Sequence, residues 1–337
     1  PSPWGFGEAF VDAARRGDIP MAEIDLAVTR ILRIKFRLGL FENPYVQTGA
    51  AALHTPETVA LARRAAHESI VLLKNDGGLL PLPATVGRVA LIGPNAAVAP
   101  LGDYTNPAAG KQAVTLRQGL EARLGADRVR YARGCSIAAG SDADLAAAVA
   151  AARESDVAIV ALGDNSSYHG GIGWGDDNDS GTSAVTCGEG FDSASLALPG
   201  RQQELLEAVA ATGKPVVLIL MTGRPYCIPW AAAQIPAILQ AWYPGEQGGH
   251  ALGDLLFGDV SPSGRLPISF PRSVGHLPCF YNHKVSARGY YKKPGTPDKP
   301  GRDYVFAQPG PLYAFGHGLS YTAFAYSDLT VTPGAVP

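Results

Sequence analysis

The runs Val157-Ala-Ile-Val-Ala-Leu162 and Pro215-Val-Val-Leu-Ile-Leu-Met221 decide the fold. Both are strand-sized, and neither alternates polar with apolar residues. A strand with one wet face alternates, so strands of this kind are covered on both faces. That is the mark of a parallel sheet held between layers of helix. Both runs are also too short to cross a bilayer as a helix.

Working outward, Arg88–Ile92, Val129–Ala132 and Ala237–Trp242 read as further strands. Helical patterns near Leu116–Leu124, Asp144–Glu154, Gly200–Ala211 and Gly245–Phe257 separate them. The alternation predicts an α/β fold: a mostly parallel sheet with helices on both faces, spanning residues 88–271. Leu266–Phe270, after the turn Ser261-Pro-Ser-Gly264, reads as a short antiparallel edge strand.

The flanks differ in character. Residues 1–45 read as two helices, and the second, Met21–Leu38, aligns Ile24, Ala27, Val28, Ile31 and Leu32 on one face. That segment offers nothing to cover the face. Residues 46–87 read as a linker and lead-in to the sheet, with a helix over Thr55–Ser69 that Thr55 caps. Residues 272–318 form a Pro-, Gly- and aromatic-rich arm, and 319–337 read as the start of an incomplete β domain.

Composition narrows the function classes. A 46% hydrophobic, 17% charged chain of 337 residues is globular and long enough for about two domains. A net charge of −2 argues against a nucleic-acid surface and against a basic membrane patch. The N-terminus has neither a Met nor a signal-peptide pattern, and we expect an internal piece of a longer polypeptide. Cys135, Cys187, Cys227 and Cys279 form no C-x-x-C pair, which argues against a zinc or iron–sulfur site. They read as buried thiols, or as one disulfide in an exported protein.

In open parallel sheets, ligands bind outside the carboxyl ends of the strands. The loop leaving Val157–Leu162 runs from Gly163 to about Leu198, a length usual for functional or disordered loops. It holds Asp164, Asp176, Asp177, Asp179, Glu189 and Asp192 with no Lys or Arg, and it also carries Tyr168 and Trp174. Crowded carboxylates disfavour one another's ionised form, and a general acid needs a retained proton. Glu189, between a strand and a helix, is the candidate general acid. Flat aromatic faces suit the C–H faces of a sugar ring. Two other readings stand: a calcium loop around Asp176, Asp177 and Asp179, which lacks the rest of a D-x-D-x-D-G loop, and a solvated acidic loop without a role.

Other patterns fail. Gly170-Gly-Ile-Gly-Trp-Gly175 does not fit a dinucleotide fingerprint, and Gly93-Pro-Asn95 cradles no phosphate. No G-x-S-x-G elbow occurs, and His250 and His317 read as structural. Neither a cofactor nor a metal is expected.

Four motifs, in order, resemble a known family. Ala66-His-Glu-Ser-Ile-Val-Leu-Leu-Lys-Asn75, with Leu80-Pro-Leu82 and Val89-Ala-Leu-Ile-Gly-Pro-Asn95, resembles the start of the second domain of glycoside hydrolase family three. Gly258-Asp-Val-Ser-Pro-Ser-Gly-Arg-Leu-Pro-Ile-Ser-Phe-Pro271 resembles a late motif of that domain. Phe315-Gly-His-Gly-Leu-Ser-Tyr-Thr322 resembles the junction to a fibronectin-like third domain. Ala27-Val-Thr-Arg-Ile-Leu-Arg-Ile-Lys-Phe-Arg-Leu-Gly-Leu-Phe41 resembles the last helix of the family's N-terminal (β/α)8 barrel.

The resemblance implies part of a retaining, exo-acting β-glycosidase, first a β-glucosidase and next a β-xylosidase. It implies an Asp nucleophile on a barrel that lies on another chain or segment, so this chain alone is expected to be inactive. The family's acid/base sits in a motif like E-G-x-D-R before L-x-L-P-G-x-Q. Here Glu189-Gly-Phe-Asp192 precedes Leu196-Ala-Leu-Pro-Gly-Arg-Gln202, which puts the role on Glu189. Ser193 stands where the motif has Arg, a departure that bears on how Asp192 is held. Tyr168, Trp174 and Asp192 become candidate substrate-binding residues, and a secreted or periplasmic location is favoured. Two alternatives stay open: a non-catalytic α/β module that binds sugar or a partner domain, and a nucleotide or flavin binder, against which the poor phosphate loops weigh.

Overall fold

The computed structural model describes residues 6–45, 54–102, 104–105, 112–166, 185–282, 295–301 and 304–331. The chain divides into two units, Pro1–Thr55 and Pro56–Pro337.

The first unit holds α1 (Glu8–Arg16) and α2 (Met21–Arg37), and neither helix buries a residue. On α2, Ile31 is 58% and Ile34 60% exposed. An apolar stripe left in water gains nothing from the hydrophobic effect, so this face lacks the cover its pattern implies.

The second unit runs α3 (Pro56–Ser69), β1 (Val71–Asn75), β2 (Val89–Ile92), α4 (Leu116–Leu124), β3 (Val129–Ala132), α5 (Asp142–Arg153) and β4 (Val157–Gly163). It continues with α6 (Gln202–Ala210), β5 (Val216–Met221), α7 (Pro229–Gln234), β6 (Ala237–Gln240) and α8 (Gly248–Leu256). One six-stranded sheet has the order β1-β6-β5-β4-β2-β3. All neighbours are parallel except β1, which runs antiparallel to β6.

The apolar runs are explained by two cores, one on each face. Ala158, Val160 and Leu162 of β4 point into a core with Leu145 and Ala148 of α5 and Leu205 and Val209 of α6. Val157, Ile159 and Ala161 point into a second core with Leu116 and Leu120 of α4 and Leu252 and Leu255 of α8. Neither face of β4 meets water, and all seven of its residues are buried. Fully burying one such Leu or Ile is worth about 1.5–3 kcal/mol.

The structure corrects the reading at four places. β1 is the antiparallel edge strand, and the sequence pattern did not reveal it. It follows α3 with only Ile70 between, and its polar end, Lys74-Asn75, breaks the apolar run. Leu266–Phe270 is not a strand. Among the described residues its backbone bonds to the arm backbone only at its two ends, through Leu266 to Gly316 and His317 and through Phe270 to Leu312 and Tyr313. Pro267, between them, has no N–H to give a ladder. β6 stops at Gln240 because Trp242 takes a left-handed φ of 56°. Helix α5 begins at Asp142 rather than Asp144, since Ser141 and Asp144 close a capping box ahead of it.

A charge cluster ties α3, α4 and α8 together. Asp254 on α8 accepts two hydrogen bonds from Arg63, at 2.6 and 2.7 Å, and lies 2.7 Å from His67 Nε2. Arg123 of α4 pairs with the neighbouring Asp259 at 2.9 Å. Burial works against the ionised form of Asp254, but the hydrogen bonds and charges of Arg63 and His67 outweigh it and hold the carboxyl below its ordinary range. His317 Nε2 donates to the carbonyl of Leu73 at 2.8 Å, a structural tie between the arm and β1.

Candidate active site

Site geometry begins where β4 ends. Asp164, the first residue beyond it, is 0% exposed. Its carboxylate accepts from the backbone N–H of Gly223 at 3.0 Å, from the Tyr226 hydroxyl at 3.0 Å and from the Tyr243 hydroxyl in a short hydrogen bond. These donors follow β5 and β6, so one carboxylate joins three strand ends. The Asp164 carbonyl also accepts from Asn95, just past β2, at 3.1 Å. Burial pushes the Asp164 carboxyl up, against the lowering effect of Tyr243, Gly223, Tyr226 and the charge of Arg224. Burial and the adjacent carboxylate in turn push both tyrosines up, so they remain donors.

The loop's return is pinned to the same place. The Asn165 carbonyl accepts from the N–H groups of Thr186 at 2.9 Å and Cys187 at 3.2 Å. The Thr186 hydroxyl accepts from the Asn165 N–H at 3.2 Å. Residues 188–191 then close a turn, with the Phe191 N–H 3.1 Å from the Gly188 carbonyl. Glu189 sits at the second position of this turn with its side chain exposed. Gly190 follows at φ 80°, a position that favours glycine. On the far side, Arg224 donates to the Phe191 carbonyl at 2.9 Å, and Cys227 N–H donates to the Leu196 carbonyl at 2.7 Å.

The chain approaches itself closely here. A Cβ on Gly223 would fall 2.6 Å from the Cys187 sulfur, so the segment after β5 admits only glycine at that contact. Gln202, the last residue of the L-x-L-P-G-x-Q motif, is buried. Its amide accepts from the Gly163 N–H at 2.8 Å and donates to the Gly163 carbonyl at 2.8 Å and the Ile137 carbonyl at 3.1 Å. The motif glutamine therefore locks the start of α6 to the end of β4, which fixes both ends of the loop.

The structure thus brings Glu189 and Asp192 to the carboxyl ends of β4 and β5, both exposed. Tyr168 and Trp174, with Asp176, Asp177 and Asp179, lie outside the described residues. Asp164, one of the acids read as crowding the loop, is instead buried against Gly223, Tyr226 and Tyr243. The loop itself lacks Lys and Arg, yet Arg224 reaches it from β5. A pointer to Arg224 existed in Thr222-Gly-Arg-Pro225 directly after an apolar strand, but nothing local shows which carbonyl it meets. Beside this segment lies an apolar groove of about 400 Å³, lined by Pro225, Ile268, Leu277, Phe280, Tyr281 and Phe315. Sequence reading did not find it, because its lining comes from separated stretches.

A mostly parallel six-stranded sheet between helices, with a loop pinned at the carboxyl ends of its strands, defines a layered α/β domain. Residues 70–321 match the glycosyl hydrolase family 3 C-terminal domain, and the chain belongs to that family. It is 35% identical to the periplasmic beta-glucosidase of Salmonella typhimurium, over 94% of this chain and 43% of that protein. It is 37% identical to a beta-xylosidase of Formosa agariphila, over 91% of this chain and 40% of that protein. Among solved structures, a β-glucosidase of Erythrobacter marinus superposes with a TM-score of 0.75 at 38% identity, covering 94% of this chain and 42% of that one. The β-glucosidase of Listeria innocua in complex with isofagomine gives a TM-score of 0.74 at 32% identity, covering 93% and 41%. The chain therefore spans about two-fifths of the relatives it matches.

Proposed function

We propose that this chain supplies the general acid/base of a retaining, exo-acting β-glycosidase, with Glu189 in that role. The observation that carries the reading is the pinned turn at residues 188–191, which presents an exposed carboxylate at the ligand-binding end of the sheet. Glu189 protonates the leaving oxygen as the glycosidic bond breaks, then activates water to release the sugar from the enzyme. Retention needs a second carboxyl group about 5–5.5 Å away, and we assign it to an Asp on a (β/α)8 barrel in another segment or chain. The uncovered apolar face of α2 supports such a barrel.

Within this proposal, residues 1–45 are the tail of the barrel, 88–271 the sandwich, and 319–337 the start of a β domain. β-Glucosides are the first substrate class and β-xylosides the next, as the names of the relatives suggest. We assign substrate binding to Tyr168, Trp174 and Asp192, the two aromatics at the entrance or a leaving-group site. The periplasmic relative supports a secreted or periplasmic location.

The test is Glu189→Ala in the polypeptide that joins this chain to its barrel. Hydrolysis of a glycoside with a poor leaving group should fall by about 10²–10⁴-fold, and azide should restore turnover as a glycosyl azide. An unchanged rate without azide rescue removes Glu189 from the role. Tight glycoside binding without turnover in the unmutated protein would make this a binding module instead.

A further inference from the structure

We infer that Asp164, Tyr243 and Arg224 are positioning residues, which hold the Glu189 turn in register with the strand ends without touching substrate. The inference rests on Glu189 as the acid/base. A proton donor must be held within about 0.5 Å of its productive place by groups that are themselves locked. The loop from Gly163 to Leu198 is long, leaves the sheet at β4 and leads into α6, so the turn must be tied down where it passes the strand ends.

Two ties are present, one on each shoulder of the turn. The inner one is the triple contact of Asn165 with Thr186 and Cys187. Asn165 is steady because its neighbour Asp164 is locked by Gly223, Tyr226 and Tyr243 from two other strand ends. The outer tie is the Arg224 hydrogen bond to the Phe191 carbonyl. The two ties share a group: the Arg224 charge also acts on Asp164. Every hydrogen-bonding partner of the Asp164 side chain is a neutral donor, and Arg224 is the one cation acting on it among the described residues. A fully buried carboxylate cannot meet a sugar, so Asp164 acts only through the loop.

Leaving-group dependence tests this, because a poor leaving group needs the proton and a very good one does not. The polypeptide joined to its barrel is assayed with a series of aryl β-glycosides from dinitrophenyl to unactivated phenyl. Arg224→Gln and Tyr243→Phe should lower kcat on the phenyl glycoside by about 10–100-fold, the scale of a misplacement near 1 Å. On the dinitrophenyl glycoside kcat/KM, which reports bond cleavage alone, should barely move, and Arg224→Lys should recover part of the loss on the phenyl glycoside. A purely structural role predicts equal losses on all substrates, and that result overturns the inference. Glu189→Ala in the same series separates the two claims. If it leaves the leaving-group dependence flat, the acid/base assignment fails. If it steepens the dependence while Arg224→Gln and Tyr243→Phe do not, the positioning inference alone fails. Should Asp164→Asn not fold, those two variants still decide the matter.

Discussion

Asp164 and Asp254 are both buried aspartates, at opposite kinds of place. Asp254 lies on a helix face, met by Arg63 and His67, with Arg123 alongside. Asp164 lies at the sheet's carboxyl end, met by a backbone N–H and two phenols. Cations hold the first ionised, so its carboxyl titrates low. Neutral donors only partly offset the burial of the second, so its carboxyl titrates high. The difference separates a staple from a site. Opposite charges close a structure, whereas a carboxylate left among neutral donors costs stability that only a function repays.

The largest effect expected from breaking this contrast is at the staple. Asp254→Ala leaves Arg63 and His67 without their shared acceptor between packed helices. It should cost about 2–4 kcal/mol in denaturant unfolding of the chain, less than a fully buried pair because Arg63 is partly exposed. A loss under about 1 kcal/mol would reduce the cluster to a surface ion pair. Next, Tyr226→Phe removes one donor from Asp164 and leaves the rest of the contact. It should cost about 1–3 kcal/mol by the same measurement, as expected for an under-satisfied buried acceptor.

The smallest effect is the most discriminating. A carboxyl whose folded pKa is depressed adds stability above its unfolded pKa and loses it as pH falls through the folded value. A raised one behaves oppositely: its contribution is complete below the unfolded pKa and is lost as pH rises through the folded value. The deficit of Asp254→Asn should therefore shrink between pH 7 and the acid range of carboxylates, while that of Asp164→Asn grows. Parallel deficits across that range would erase the distinction between the two aspartates.

Much of the frame was legible beforehand because strand burial leaves a local trace. Val157–Leu162 and Val216–Met221 are apolar at every position, and the structure sends alternate residues to two cores. The motif around Glu189 and Gln202 was legible as well, since those residues are close in sequence. The groove at Phe280 and Phe315 was not, nor was the edge strand β1, whose partner β6 lies far along the chain.

By itself the sequence determined the layered α/β order and the family motifs, and it singled out Glu189 as the loop carboxylate we propose for acid/base work. Periodicity and short-range spacing are local properties, so composition and pattern carry them. Only the tertiary structure decided that Asp164 is buried at the root of the loop, that Arg224 reaches Phe191 across 33 residues, and that Arg63 reaches Asp254 across 191. Those partners meet because the sheet order brings distant strand ends and helices together, and no local pattern specifies which donor will face which acceptor.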